Sequence, residues 1–160
     1  MAFFRKSERH GDSQAEGVRT LEEPMEATLA DNGGMARVTF SFSGSREAAG
    51  TWLISTVEFV GFGVQVFLED PLLGFEAVRE LGQGIWKVAD SQEGEFKATF
   101  EPHLDIRIKA PSKKSARLDV YLTFTMGTDA TVNVQLQTDH TLALSFVEAL
   151  ERGLEAIDDL

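Results

Sequence analysis

The sequence predicts one α+β domain in which a mainly antiparallel sheet of about eight or nine strands carries a short helix and a longer helix. Apolar residues alternate with polar ones over several stretches separated by Gly, Asn, Asp and Pro, which is typical of half-buried strands joined by turns. In two places the apolar spacing changes to three or four residues, which indicates one helix near residues 70–82 and another near 139–157. The strands therefore form two meander blocks, each closed by a helix.

The first block follows a polar N-terminal segment. Residues 1–22 hold four bases and four acids without apolar periodicity, so we expect a flexible tail there and a single folded domain over residues 23–160. The sequence Asp-Asn-Gly-Gly at 31–34 favours a tight hairpin, because Asn and Gly accept the positive φ angles that such turns need. Residues 43–50 are predicted to be a polar connection. The apolar strand positions of this block are Met25, Ala27 and Leu29, then Val38, Phe40 and Phe42, then Trp52 and Ile54 with residues 57–59, and lastly Val64, Val66 and Leu68.

Residues 70–82 are predicted to form the short helix. Asp70 can act as the N-cap, and Pro71 suits the first helical position because its fixed φ angle matches the helix. The apolar face consists of Leu72, Phe75, Val78 and Leu81. Gly82 and Gly84 follow, and because glycine is a poor helix former we expect the helix to end there.

The second block is predicted to begin with Trp86 and Val88 on a strand. Its later strands alternate at Phe96, Ala98 and Phe100, at Leu104, Ile106 and Ile108, at Leu118, Val120, Leu122, Phe124 and Met126, and at Val132, Val134 and Leu136. Either Thr138 or Asp139 can cap the C-terminal helix. The apolar stripe of that helix is Leu142, Phe146, Leu150, Leu154 and Ile157. We expect this stripe to lie on the strands and the carboxylates of the helix to face water.

Composition limits the classes of function. With 160 residues the chain can bury a core without cross-links, and it has no cysteine, which excludes disulfides, thiolate catalysis and Cys-ligated metals. No apolar run reaches the roughly 18 residues that a spanning helix needs, and the N-terminus lacks the apolar core of a signal peptide. We therefore expect a cytoplasmic protein without membrane contact. The net charge of −11 argues against nucleic acid as a partner, because phosphate binding depends on clustered Lys and Arg.

The pattern lacks a catalytic constellation. His10, His103 and His140 fall in a tail, a turn and a helix start, without the spacing of metal ligands. There is no phosphate-binding loop and no nucleophile elbow. A carboxylate-based hydrolase remains a minor alternative, because two pairs of adjacent acids could supply a general acid and a general base. These pairs are Glu69-Asp70 and Asp158-Asp159. The sequence thus predicts a protein that is not an enzyme and needs no cofactor or metal.

Charge is concentrated in two segments. Residues 139–160 hold six acids against one base, a net charge of −5, whereas residues 107–117 hold five bases and no acid, a net charge of +5. An acidic helix face can steer a basic protein toward itself by long-range attraction. The residues predicted to contact such a partner are Glu148, Glu151, Glu155 and Asp158. The sequence indicates no role for the basic segment.

Three segments carry a resemblance to a known family. They are GEFKATF at 94–100, RLDVYLTF at 117–124 and VNVQLQTDHTLALSF at 132–146. The order of elements resembles small bacterial α+β domains grouped with WapI-type immunity proteins, over roughly residues 59–157. The resemblance implies a non-catalytic domain that binds and neutralises a toxin partner, and it assigns no binding residues.

Two further interpretations remain open. A small apolar ligand could lie between the sheet and the C-terminal helix, and the aromatic residues available to line such a cavity are Phe40, Phe42, Phe96, Phe100 and Phe124. The second interpretation is a homo-oligomer that forms through an uncovered sheet edge. The leading prediction is a non-enzymatic protein-binding domain in a bacterial cytoplasm.

Overall fold

The chain alternates between sheet and helix: one sheet, helix α1, a second sheet and helix α2 follow each other in sequence. The structure, a computed structural model, describes residues 19–20, 24–42, 45–47, 50–100, 104–127 and 130–159. Both sheets are antiparallel, and each is followed by one helix. The predicted α+β class with two strand blocks is therefore confirmed.

The first sheet has six strands. They are β1 (Arg19–Thr20), β2 (Met25–Ala30), β3 (Ala36–Phe42), β4 (Ser45–Glu47), β5 (Gly50–Gly61) and β6 (Val64–Gly74). Strands β4 and β3 pair with successive parts of one edge of β5, and β6 pairs with its opposite edge. Strand β1 pairs with β4, and β2 pairs with β3. Two short strands were not predicted, because β1 falls in the expected tail and β4 in the expected polar connection. Residues 1–18 of the expected tail lie outside the described residues.

The β2–β3 turn is the hairpin that Asp-Asn-Gly-Gly predicts. Gly34 has a φ of +72°, and the Asp31 carboxylate accepts a hydrogen bond from the Gly33 amide at 3.0 Å. The turn also reaches the second sheet, where the Asn32 amide donates to the Gln137 carbonyl at 2.8 Å. In return the Gln137 amide donates to Asp31 Oδ1 at 3.2 Å. This turn therefore fastens a corner of the first sheet to the second.

Helix α1 (Phe75–Ser91) corrects the prediction for residues 70–82. Asp70 and Pro71 lie in β6, and Gly74 is the N-cap without any side-chain hydrogen bond. The helix continues through Gly82 and Gly84, so the expected strand at Trp86 and Val88 is wrong. Tertiary packing overrides the low helix propensity of glycine here: the Phe96 ring lies too close to Gly84 for a Cβ atom, and Gly82 is buried beside Leu150 and Val147.

The second sheet matches the prediction for its four later strands, without the expected strand at Trp86 and Val88. It contains β7 (Glu95–Phe100), β8 (Leu104–Lys109), β9 (Arg117–Met126) and β10 (Ala130–Asp139), in the order β10-β9-β8-β7. Helix α2 (His140–Asp158) follows β10 directly. Asp139 is its N-cap, with Oδ1 accepting from the Leu142 amide at 2.8 Å, so one of the two predicted caps is confirmed.

Both sheets and both helices share one core. Phe59 of β5 lies 6.5 Å from Phe124 of β9, measured between ring centroids. Phe40 of β3 and Phe146 of α2 make an edge-to-face pair with centroids 5.6 Å apart. Phe146 of the predicted stripe therefore faces the strands, Leu150 and Leu154 lie beside α1, and Leu142 is only half-buried. The buried residues of α2 are Ala143, Phe146, Val147, Leu150, Gly153, Leu154 and Ile157.

Candidate partner-binding surface

Helix α2 is fixed at its start by two polar contacts. The Asp139 cap satisfies one of the free amides of the first turn. His140 Nδ1 donates to the Ala89 carbonyl at 2.8 Å, which joins the start of α2 to the last turns of α1. The imidazole of His140 therefore has a structural partner.

Near its C-terminal end the same helix packs closely on the first sheet. A Cβ atom added to Gly153 would lie only 2.8 Å from the Phe42 ring, and Phe42 has an exposed fraction of 0%. Glycine at this position therefore lets the helix backbone approach the sheet closely. The exposed side of α2 is consequently presented from a rigid base.

The four predicted partner-binding residues lie together on that exposed side. Glu148, Glu151, Glu155 and Asp158 follow at intervals of three, four and three residues, and all four side chains are exposed. Such intervals place residues in one strip along a helix. We call Glu148, Glu151, Glu155 and Asp158 the acidic strip.

Helices α1 and α2 run antiparallel, and a groove lies between them. At one end the groove brings Phe75, the first residue of α1, next to Leu154 and Asp158 near the end of α2. The groove encloses about 360 Å³. Its floor is formed by Phe75, Val78, Gly82, Leu150 and Leu154, and its rim by Arg79, Gln83, Glu151, Glu155 and Asp158. Three members of the acidic strip therefore border an apolar floor.

A second depression of about 590 Å³ continues the groove. It shares Gln83 and Glu151 with the first. Its other lining residues are Glu80, Gly84, Trp86, Lys87 and Phe96. Trp86 has an exposed fraction of 49%, although it is the largest side chain on α1. We call the two depressions together the interhelical groove.

The sequence prediction missed Trp86 as a surface residue, because it assigned this tryptophan to a strand. The signal that identifies the helix is the apolar spacing of Val78, Leu81, Ile85 and Val88, which continues through both glycines. On that helix Trp86 is displaced from the buried stripe. The two glycines therefore led to a wrong helix end, whereas the apolar periodicity alone predicts that the helix continues past Trp86.

The electrostatics of the two helices are negative. Helix α1 has three acids and two bases, and α2 has four acids and one base, so together they have a net charge of −4. Arg79 forms an ion pair with Glu76 at 3.1 Å, and its guanidinium lies 4.9 Å from the centre of the Phe75 ring. Arg79 therefore has a partner on its own helix, and by number the groove rim holds more carboxylates than bases.

The basic segment 107–117 lies away from this groove, on the second sheet and the β8–β9 loop. Three of its five bases form ion pairs: Arg107 with Glu95 at 3.9 Å, Lys113 with Glu93 at 3.1 Å, and Arg117 with Asp119 at 3.2 Å. Arg107 also stacks on Tyr121 at 4.4 Å. Much of the local positive charge is therefore compensated.

Other site types were sought in the described part of the chain. In that part no three His, Asp or Glu side chains are grouped so that they could hold a metal ion. His10 and His103 lie outside the described residues. Neither α1 nor α2 is both long and apolar enough to cross a membrane.

Comparisons with known proteins give limited information. No protein-family model matches the chain, and no curated protein sequence matches it. Among solved structures, a chain from the crystal structures of Trypanosoma brucei MRP1/MRP2 is similar with a TM-score of 0.45 and 11% identity, over 94% of this chain and 93% of that chain. A likeness of this size assigns neither a family nor a function.

Proposed function

We propose that this chain is a non-enzymatic protein-binding domain whose acidic strip contacts a basic partner protein. The observation that carries the proposal is the strip itself: Glu148, Glu151, Glu155 and Asp158 project from one side of a helix whose other side is locked in the core. A rigid surface loses little conformational entropy on binding. Charge complementarity then supplies orientation and a fast association rate.

The overall charge supports the same partner class. The chain has a net charge of −11, so a basic protein is attracted at long range and then oriented by the local strip. Because exposed charges are screened by salt, association should weaken as ionic strength rises. The finer form of the proposal is immunity-type: a basic toxin in a bacterial cytoplasm is neutralised when this domain covers its basic surface.

The space available in the core favours this function over an apolar-ligand binder. Among the described residues, the cavity where both sheets meet Phe146 of α2 measures about 10 Å³. A volume of this size is at the lower limit for one water molecule. The ligand hypothesis therefore lacks an enclosed site at that position, whereas the acidic strip is open to a partner.

The test compares two variants with the same change in net charge. One variant replaces all four residues of the acidic strip by Gln or Asn. The matched control replaces Glu26, Glu69, Asp90 and Asp105, which are also exposed, in the same way. Each tagged protein is used to capture partners from the native lysate at low and raised salt. We expect a basic protein to bind the wild type and the control in low salt, and to be lost with the strip variant.

The contrary result is equally clear. If the strip variant and the control capture the same proteins in the same amounts, the acidic strip is not the contact surface and the proposal is wrong. Circular dichroism on both variants checks that the eight substitutions leave the fold intact. Exposed substitutions of this type usually change stability by less than about 0.5 kcal/mol each.

A further inference from the structure

We infer that the interhelical groove receives a basic amphipathic helix of the partner, with one large apolar side chain seated against Trp86 and Phe96. The inference rests on the proposed function and extends it, because it names the secondary structure and the anchor of the bound segment. Three features of the groove carry it: its apolar floor, its dimensions and its rim charge.

Apolar side chains line both depressions, which meet at Gln83 and Glu151. Phe75, Val78, Leu150 and Leu154 line the first depression, and Trp86 and Phe96 line the second. Single exposed apolar residues are normal on protein surfaces. Trp86 differs because its neighbours on the exposed side of α1 are polar or charged, while it adjoins the half-buried Phe96. Trp is also the residue type most enriched among binding hot spots.

The dimensions of the groove fit one helical segment. Phe75 and Trp86 are separated by three helical turns, which is about 16 Å along α1. Most of the lining comes from two antiparallel helices, and Phe96 of β7 adds to the second depression. A third helix can lay its apolar ridge into a groove between two others.

The rim charge decides which helix fits. Glu80, Glu151, Glu155 and Asp158 border the floor. The bases on the rim are Arg79, which is paired with Glu76, and Lys87. An occupant therefore needs apolar residues toward the floor and Lys or Arg on its flanks. An acidic helix would be repelled by the rim carboxylates, and a purely apolar helix would bury them without a charged partner.

The test uses two synthetic probes of about 16 residues. The first is a Leu/Lys peptide designed as an amphipathic helix, and the second replaces every Leu by Gln while keeping the same Lys positions. Both are titrated into the full-length Trp52→Phe variant, so that the fluorescence reports Trp86. We expect the Leu/Lys peptide to shift the Trp86 emission to shorter wavelength and to bind at least about tenfold more tightly than the Gln/Lys peptide.

Matched variants locate the binding site, with a labelled peptide and fluorescence anisotropy as the readout. Trp86→Ala should weaken the Leu/Lys peptide by about tenfold or more. Phe67→Ala removes another exposed aromatic residue, 53% exposed on the first sheet, and should leave the affinity unchanged. Glu80→Gln together with Glu151→Gln should weaken both peptides and reduce the salt dependence of binding.

The outcomes separate this inference from the proposed function. Equal binding of the two peptides, with no effect of Trp86→Ala, overturns the groove site, as does a failure of the Leu/Lys peptide to bind. The lysate capture with the strip variant decides the acidic contact surface independently, because it needs no apolar anchor. A capture that depends on the strip but not on Trp86 would keep the proposed function and remove this inference.

Discussion

Two helical glycines should respond oppositely to the same substitution, and Gly82 is the favourable case. A Cβ atom added at Gly82 would lie 3.7 Å from Leu150 Cδ1 and 3.9 Å from Val147 Cγ1. Both distances are ordinary van der Waals contacts, so alanine fits without any movement. Alanine is also about 1 kcal/mol better than glycine inside a helix. We therefore expect Gly82→Ala to raise the free energy of unfolding by about 1 kcal/mol.

Gly153→Ala should have the opposite sign. Its added Cβ would lie 2.8 Å and 3.0 Å from two carbons of the Phe42 ring, which is fully buried and cannot move aside. Overpacking a core in this way costs about 1–3 kcal/mol, which offsets or exceeds the gain of about 1 kcal/mol in helix propensity. We expect a loss of up to about 2 kcal/mol, and therefore a difference of about 1–3 kcal/mol between the two variants.

Urea unfolding followed by circular dichroism measures both variants against the wild type. With a slope of about 2 kcal/mol per molar urea, Gly82→Ala should raise the midpoint by about 0.5 M, and Gly153→Ala should lower it by up to about 1 M. If Gly82→Ala destabilises as much as Gly153→Ala, the spacing between α1 and α2 described here is wrong. The floor of the interhelical groove would then have to be redrawn.

Three other substitutions test the framework around the site. Asp139→Ala removes the hydrogen bond that the cap accepts from the Leu142 amide and should lower the free energy of unfolding by about 1 kcal/mol, whereas Asp139→Asn should keep most of that stabilisation. Equal stabilities of the two variants in urea would contradict the cap. Gly61→Ala would place a Cβ atom against the Ala36 Cβ in the paired strand and should lower the melting temperature by several degrees. An unchanged melting temperature would contradict the close approach of the two strands. Asp31→Ala removes the acceptor for a β10 amide, so hydrogen exchange of that amide should accelerate about tenfold relative to the centre of the strand, and unchanged exchange would show that the contact is not formed in solution.

The C-terminal third of the fold could be predicted from the sequence because local and tertiary signals agree there. Leu118, Val120 and Leu122 alternate and are buried as the period of two requires. Asp139 precedes a regular apolar stripe, so both the start and the buried side of α2 were correct. The acidic strip followed from the same periodicity, because a stripe with one buried side fixes which residues face water.

The start of α1 could not be predicted because local signals opposed tertiary packing. Asp70 and Pro71 are typical of a helix start, but strand pairing with β5 extends β6 to Gly74. Gly82 and Gly84 are typical of a helix end, but the Phe96 ring passes close to the helix at Gly84, and Gly82 is buried beside Leu150 and Val147. Local propensity amounts to about 1 kcal/mol per glycine, and packing of the whole helix outweighs it.

The interhelical groove could not be predicted at all, because it depends on the contact between two helices that lie far apart in the sequence. Its floor combines Phe75 and Leu154, and no periodic pattern links such positions. The position of Trp86 on the surface follows only when α1 is extended beyond Gly84. Prediction of a site of this kind therefore requires correct helix limits as well as a correct fold class.

Two of the hydrogen bonds between the β2–β3 turn and β10 join residues 106 positions apart in the chain. Contacts of such long range slow folding, because a large loop must close before they contribute to stability. During synthesis the inner face of the first sheet, which includes Phe40 and Phe42, must remain without its final partners until β10 and α2 leave the ribosome. The apolar inner face of the nascent N-terminal half is therefore exposed to aggregation until the C-terminal elements cover it.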